Sequence, residues 1–274
     1  MVNKIGLNFH QTFGPERRHL SRLLSLAEGM GNMTKEQISS KTGIPTGASS
    51  GKVVPHLFYA ALMGWVILER VRSGYCLTRT PLGQMIYEND PYLLDHISLF
   101  SGHYFLCTPP QGAALWRLVF SQVVPTLRHR VDEDTILLAA TSEFGRKSIN
   151  LSPFKTCYTK QTCFGDLQLI SVNGSTWLFN PPPYRSELRY VYGYSLLKTW
   201  EQILDKRSEI TVQELRSILH WDKPYLWEIE SMLDVLDALQ DLGMILVNRQ
   251  LKPVTITRRV SSAEVLSRLY ELAI

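Results

Sequence analysis

A mainly α-helical fold carrying two small β-hairpins is what this sequence predicts. Two observations carry that reading. Apolar residues recur at 3.6-residue spacing through most of the chain, and near each end helical segments give way to two β-rich runs around a turn. The predicted organisation is two units of three helices plus a hairpin, residues 1–90 and 191–274, joined by a central helical region with a linker, residues 91–190.

In the first unit, Pro15 opens a helix whose stripe is Leu20, Leu23, Leu24, Ala27 and Met30, with Gly29 and Gly31 ending it. Thr34 and Gln37 then form a capping box for a short second helix, which Gly43 and Pro45 close. After the small-residue loop "TGASSGK", a third helix carries Val54, Leu57, Phe58, Ala61 and Leu62 on one face and stops at Gly64. "WVILERVRSGYCLTRT" reads as two strands around Ser73 and Gly74. Three helices and a hairpin is the winged-helix order, in which the third helix enters the DNA major groove and the hairpin flanks the backbone.

The same order returns near the C-terminus. Thr211 and Glu214 make a second capping box, Pro224 opens a helix with Leu226, Ile229, Leu233 and Leu236 inward, Gly243 stops it, and "MILVNRQLKPVTITRR" supplies the hairpin. Cap and stop glycine are similarly spaced in both units, 34 to 64 and 211 to 243, which reads as a degenerate duplication. Between them, "PLGQMIYEND", "LLDHISLFSGHYFL", Trp116 to Leu127 and Pro153 to Phe164 look helical, and "NPPPYRSELRY" is an extended linker.

With 45% apolar residues over 274, the chain buries a sizeable core. No stretch reaches the roughly 18 to 20 apolar residues of a membrane span, and no signal-peptide pattern opens it, so a cytoplasmic location with no membrane partner is expected. Cys76, Cys107, Cys157 and Cys163 show no Cys-x-x-Cys pair, which argues against a disulfide framework and a zinc site. Cys157 and Cys163 are the pair that could carry sulfur chemistry, although buried structural thiols are commoner. The net charge is +4, but residues 1–90 hold ten Lys/Arg against six Asp/Glu, while 191–274 hold ten against twelve. The positive end is the front.

Ser49, Ser50 and Lys52 at the start of the third helix can present hydroxyls, amides and a cation to a phosphate. The loop is no Walker motif, being one residue short with Val53 in place of the hydroxyl. Lys52, His56 and Tyr59 fall on one helix face opposite the apolar stripe and form the expected groove-facing set, with Arg70, Arg72 and Arg79 of the hairpin as phosphate contacts. Edge strands also carry cations simply to discourage aggregation. Asp132, Glu133, Asp134, Glu143 and Lys147 have the residue types of a metal-dependent nuclease, yet a charged loop between helices explains them as well. His96 and His103 read as core histidines.

"FHQTF" with its downstream arginine, "TGIPTGASSGKVVPHLFYAALMGWV", "LTRTPLGQMIYENDPYLLD" and "YVYGYSLLKTW" together resemble a bacterial domain-of-unknown-function family that accompanies DNA phosphorothioation genes, over about residues 5–260. Its members occur beside cysteine desulfurase and sulfur-transfer enzymes and are implicated in single-strand nicking. The resemblance implies a DNA-binding winged-helix subunit of a DNA sulfur-modification and phage-defence system. Its implied partners are double-stranded DNA and the sulfur-transfer and desulfurase proteins; a homodimer stays open. No cofactor is implied except a divalent cation if the chain nicks DNA. Where family members begin Gly-His-Glu-Thr-Phe, this chain has Phe9, His10 and Gln11. An amide neither titrates nor attracts a cation as a carboxylate does, so binding ranks above cutting. Phe9 and Phe13 are then expected to pin the arm, leaving His10, Gln11, Thr12, Arg17 and Arg18 around a phosphate at the first helix's N-terminus. The bland alternative is a hydrophobic staple. A winged-helix protein-interaction scaffold is the remaining reading.

Overall fold

The computed structural model describes residues 5–28, 31–48, 50–127, 129–145, 149–250 and 252–273, so Gly29, Met30, Ser49 and Lys147 lie outside the described residues. α1 (Arg17–Leu26), α2 (Lys35–Thr42) and α3 (Val53–Leu62) lead into a hairpin of β1 (Val66–Val71) and β2 (Gly74–Arg79). Met33 bridges Tyr75 on the far side of β2 from β1. The Thr34–Gln37 capping box is closed in both directions, and Gly43 ends α2 at φ +65°. The hairpin turns on Arg72 and Ser73. Gly74 serves a close approach rather than the turn, since a Cβ there would lie 2.2 Å from the Met33 carbonyl oxygen.

α4 (Pro81–Asn89) and α5 (His96–Cys107) cross to the centre. There α6 (Ala114–Leu118) runs through a π turn, Val119–Val123, into α7 (Val124–Leu127). Pro125 has no N–H for the Ser121 carbonyl, which is a physical reason for the helix to widen here. β3 (Arg130–Asp132), α8 (Glu133–Phe144), α9 (Ser152–Thr159), β4 (Ile170–Asn173) and β5 (Thr176–Phe179) follow, with strand order β3-β5-β4. The last third comprises α10 (Arg189–Leu204), β6 (Glu209–Thr211), α11 (Val212–Ser217), α12 (Ile229–Asp241), β7 (Ile245–Asn248), β8 (Thr255–Arg258) and α13 (Ser262–Leu266), with strand order β6-β8-β7. Helix, strand, helix, helix, hairpin, with the first strand beside the last, thus occurs three times, Met33 standing as the first strand of copy one.

Two expectations are corrected. The central region is not purely helical: it holds a three-stranded sheet, and the acids of "VDEDT" sit at the start of α8, where helix-terminal amides favour negative charge. α12 begins at Ile229 rather than Pro224, because Leu226 takes a left-handed φ of 57°. Its inward residues are Met232, Val235, Leu236 and Leu239, and Ile229 is exposed.

Aromatic rings join the copies. Phe9 meets Tyr59 edge-on at 4.9 Å, Trp116 lies 5.9 Å from Tyr59 and 5.1 Å from Phe154, and Phe154 stacks on Trp177 at 5.7 Å. Toward copy three, Tyr104 stacks on Tyr225 at 5.6 Å and Tyr225 on Trp227 at 4.3 Å. His103 sits between these groups, 2.8 Å from both the Tyr158 hydroxyl and the Pro224 carbonyl oxygen. The carbonyl only accepts, so Nε2 carries the proton and Nδ1 accepts from Tyr158. At the other end of the chain, the Tyr270 hydroxyl meets Ser98 Oγ at 2.6 Å, and Ser98 donates to the buried Asp90 carboxylate. No helix among the described residues is long and apolar enough to cross a membrane.

Gly83 packs so closely that a Cβ would fall 1.8 Å from the Trp65 carbonyl oxygen. Gly83→Ala is expected to lower stability by at least ~2 kcal/mol in urea unfolding. Gly31→Ala, with open space around it, shifts it by less than ~1 kcal/mol.

Candidate nucleic-acid interface

The N-terminal arm runs through successive turns, with Gln11 at φ +53°. Phe9 packs on Tyr59 and Phe58, and the Phe13 carbonyl accepts from the Tyr59 hydroxyl at 3.0 Å. The aromatics therefore hold the arm down. His10 goes with them: it is 1% exposed, faces Trp116 at 6.0 Å, and burial pushes its pKa down. Gln11 and Thr12 stay exposed. The expected arrangement of His10 beside them at a phosphate is thus corrected by the bulk of Trp116, which draws the imidazole inward.

Where the arm enters α1, the Glu16 N–H donates to His56 Nε2 at 3.0 Å and His56 Nδ1 donates to the Lys52 carbonyl at 2.7 Å. The imidazole is neutral, its pKa pushed by burial down to about 4. Directly above it, the Lys52 ammonium meets the Glu16 carboxylate at 2.5 Å and lies 5.8 Å from the centre of the Phe13 ring. His19 stands 3.4 Å from the same carboxylate and edge-on to His56 at 4.9 Å. Burial pushes Glu16 upward, but the Lys52 hydrogen bond and the neighbouring charges outweigh it and hold the carboxyl below its usual range.

α3 does not offer the exposed face expected of it. His56 and Tyr59 are 0% exposed, and of the predicted trio only Lys52 reaches solvent. The physical reason is the arm and α6, which cover the side of α3 that its own periodicity leaves polar. Arg79 is likewise turned inward: its guanidinium bonds the Leu24 and Ser25 carbonyls and Gln84, and lies 3.6 Å over the Tyr87 ring. It satisfies the C-terminal carbonyls of α1 rather than a phosphate. Arg17 is held by the Asp166 carboxylate at 2.9 Å and by the Gln161 carbonyl. Arg18, Ser50, Arg70 and Arg72 are exposed, and Ser49 lies outside the described residues.

Side-chain bonds tie the hairpin tip to the start of α2 and the following loop to α2 and α1. At the hairpin tip, Ser73 accepts from the Asn32 side chain at 2.6 Å, just before α2. Lys35 at the start of α2 donates to the Gly47 and Ala48 carbonyls of the loop, and Arg22 donates to the Thr42 carbonyl at the end of α2. Lys52 closes the loop onto Glu16. Lys35 and Arg22 were not singled out from the sequence; the backbone carbonyls that they hold are invisible to residue spacing.

The candidate nuclease acids do not converge. Asp132 accepts from Thr176 and Glu133 from the Trp177 indole, while Glu143 lies ten residues further along α8, about 15 Å away. Among the described residues, no group of three or more His, Cys, Asp or Glu is placed to hold a metal ion. Burial raises the thiols of Cys107, Cys157 and Cys163, the last to about 12, which keeps them unreactive.

No family model and no curated protein matches the chain. Two crystal structures do resemble it in fold. One, described as magnesium ion-bound SspB, has a TM-score of 0.72 at 15% identity; the other, SspB alone, has 0.73 at 13%. In each case the match covers 97% of this chain and 88% of the other. The likeness is one of fold.

His56 makes stability acid-sensitive. An unfolded imidazole titrates near 6.5, the folded one near 4, so the unfolded chain binds the extra proton between those values. The contribution is complete above pH 6.5 and is lost as pH falls toward 4, on the order of 3 kcal/mol. His56→Gln should flatten that part of the profile in urea unfolding at about pH 7 and about pH 5.

Proposed function

We propose that this chain is the DNA-binding subunit of a DNA sulfur-modification and phage-defence system, holding duplex for partner enzymes. Its three copies of helix, strand, helix, helix and hairpin, with the first strand beside the last, have the winged-helix order. The fold neighbours carry the name of a phosphorothioation-system protein, which agrees with the family resemblance of the sequence. The single observation that carries the binding role is the cationic edge where the hairpin tip, with Arg70 and Arg72 exposed, is bonded beside the start of α2 and Lys35.

Because α3 is buried, recognition passes from that helix to the hairpin tip and the 43–52 loop. Lys35 holds the Gly47 and Ala48 carbonyls, and the exposed cations meet phosphates, which positions a duplex without reading its bases. Desulfurase and sulfur-transfer proteins are the partners this reading names.

Strand nicking is a second reading, favoured by one observation. Glu16, Lys52, His19 and His56 bring a carboxylate, an ammonium and two imidazoles into contact beside that edge, residue types that phosphodiester hydrolysis uses. Supercoiled plasmid incubated with Mg²⁺ or Mn²⁺ separates the two: open circles that Glu16→Gln abolishes support cutting, and persistent supercoils leave binding alone.

For the binding role, fluorescence anisotropy with a labelled duplex should show affinity falling steeply with salt. Arg70→Glu with Arg72→Glu should weaken it about tenfold or more. Arg79→Gln should cost stability yet leave the affinity of the folded protein unchanged. Absence of duplex binding by the wild-type chain at low ionic strength would overturn the reading.

A further inference from the structure

The turn between α11 and α12 lies apart from that edge. Asp222 is buried there with 0% exposure, its Oδ2 accepting from Arg216 Nε at 2.8 Å and standing 3.2 Å from Lys223 Nζ. Among the described residues, neither cation has a second carboxylate partner, and no acceptor engages the terminal nitrogens of Arg216. Both side chains border two adjoining clefts. The larger, about 760 Å³, is lined by Gln213, Ser217 and His220 on one side and by Ile229, Leu233 and Pro253 on the other. The smaller, about 180 Å³, extends to His129 and Trp227. His220 and Leu226 hold φ of 53° and 57°, conformations that cost energy in non-glycine residues and that the surrounding packing must sustain.

We infer that this cleft is a second anion site, which takes a phosphate of a nucleotide chain on Arg216 and Lys223 with the sugar or base against the Ile229–Pro253 wall. In the larger cleft, where Glu228 of the smaller one is not part of the lining, two cations on the Asp222 carboxylate leave a net positive charge. The carboxylate beneath them is what distinguishes the pair from surface lysines: it fixes Arg216 through Nε and leaves the two-pronged end of the guanidinium for phosphate oxygens. The inference deepens the DNA-binding reading and rests on it for the source of the phosphate.

Two probes distinguish the sources. Inorganic phosphate titrated into the full chain is followed by tryptophan fluorescence, and a fluorescein-labelled duplex by anisotropy across a salt series. Arg216→Gln and Lys223→Gln are made singly, so that Asp222 keeps one cation, and thermal melts establish that each is folded. With a strand as ligand, each variant weakens duplex binding about tenfold and lowers the slope of log K against log salt by about 1. With free phosphate as ligand, the variants abolish the fluorescence response and spare the duplex. Folded variants that respond to both probes as wild type does overturn the proposal. Wild-type protein that binds phosphate but no duplex at low salt overturns the DNA reading and leaves the anion site standing.

Discussion

His56 has no hydrogen-bonding capacity left over. One ring nitrogen accepts the Glu16 amide, the other donates to the Lys52 carbonyl, and the ring is sealed from water. A buried imidazole must satisfy both nitrogens and stay neutral, so it dictates where α1 begins relative to α3. That single placement sets the Glu16–Lys52 pair above it, brings His19 alongside, and anchors the far end of the 43–52 loop. The near end is anchored separately, by Arg22 on the Thr42 carbonyl. Thr42 and Lys52, the residues on either side of that stretch, are consequently both tied to α1 and its N-cap.

How much of this could be read from residues alone follows from the range of each interaction. The capping boxes at Thr34 and Thr211 were legible because cap and partner lie three residues apart and nothing distant intervenes. A third, Ser261 with Glu264 beyond the last hairpin, is equally local. The burial of His56 and Tyr59 was not legible: periodicity assigns them to the polar side of α3, and it takes Phe9 and Trp116, 50 or more residues from one or the other, to cover that side. Arg79 misled for the same reason, since a cation on an edge strand gives no sign that the end of α1 is waiting for it. In the middle copy the Gly174-Ser175 turn that joins β4 to β5 is a local signal, whereas β3 pairs with β5 from beyond α8 and α9 and leaves no local sign.

The three copies depend on one another for packing. Each is small, and a small unit buries too little of its own surface to be secure alone. Here aromatic rings cross between them: Tyr59 of the first copy reaches Trp116 of the middle one, and Tyr104 on α5 meets Tyr225 of the third. His103 adds directional bonds to Tyr158 and Pro224, so the junction has a defined geometry as well as a dry interior. The cationic edge on copy one and the Asp222 turn on copy three are therefore carried on one packed body.

Tyr270, through Ser98 to Asp90, stitches the segment after α13 to the α4–α5 connection. The polypeptide thus doubles back on itself, a segment near its C-terminal end bonded to one about a third of the way along. A backbone break in the proline stretch at 181–183 would leave two fragments clasped together by that stitch and by the rings between them, migrating as one particle until a denaturant parts them.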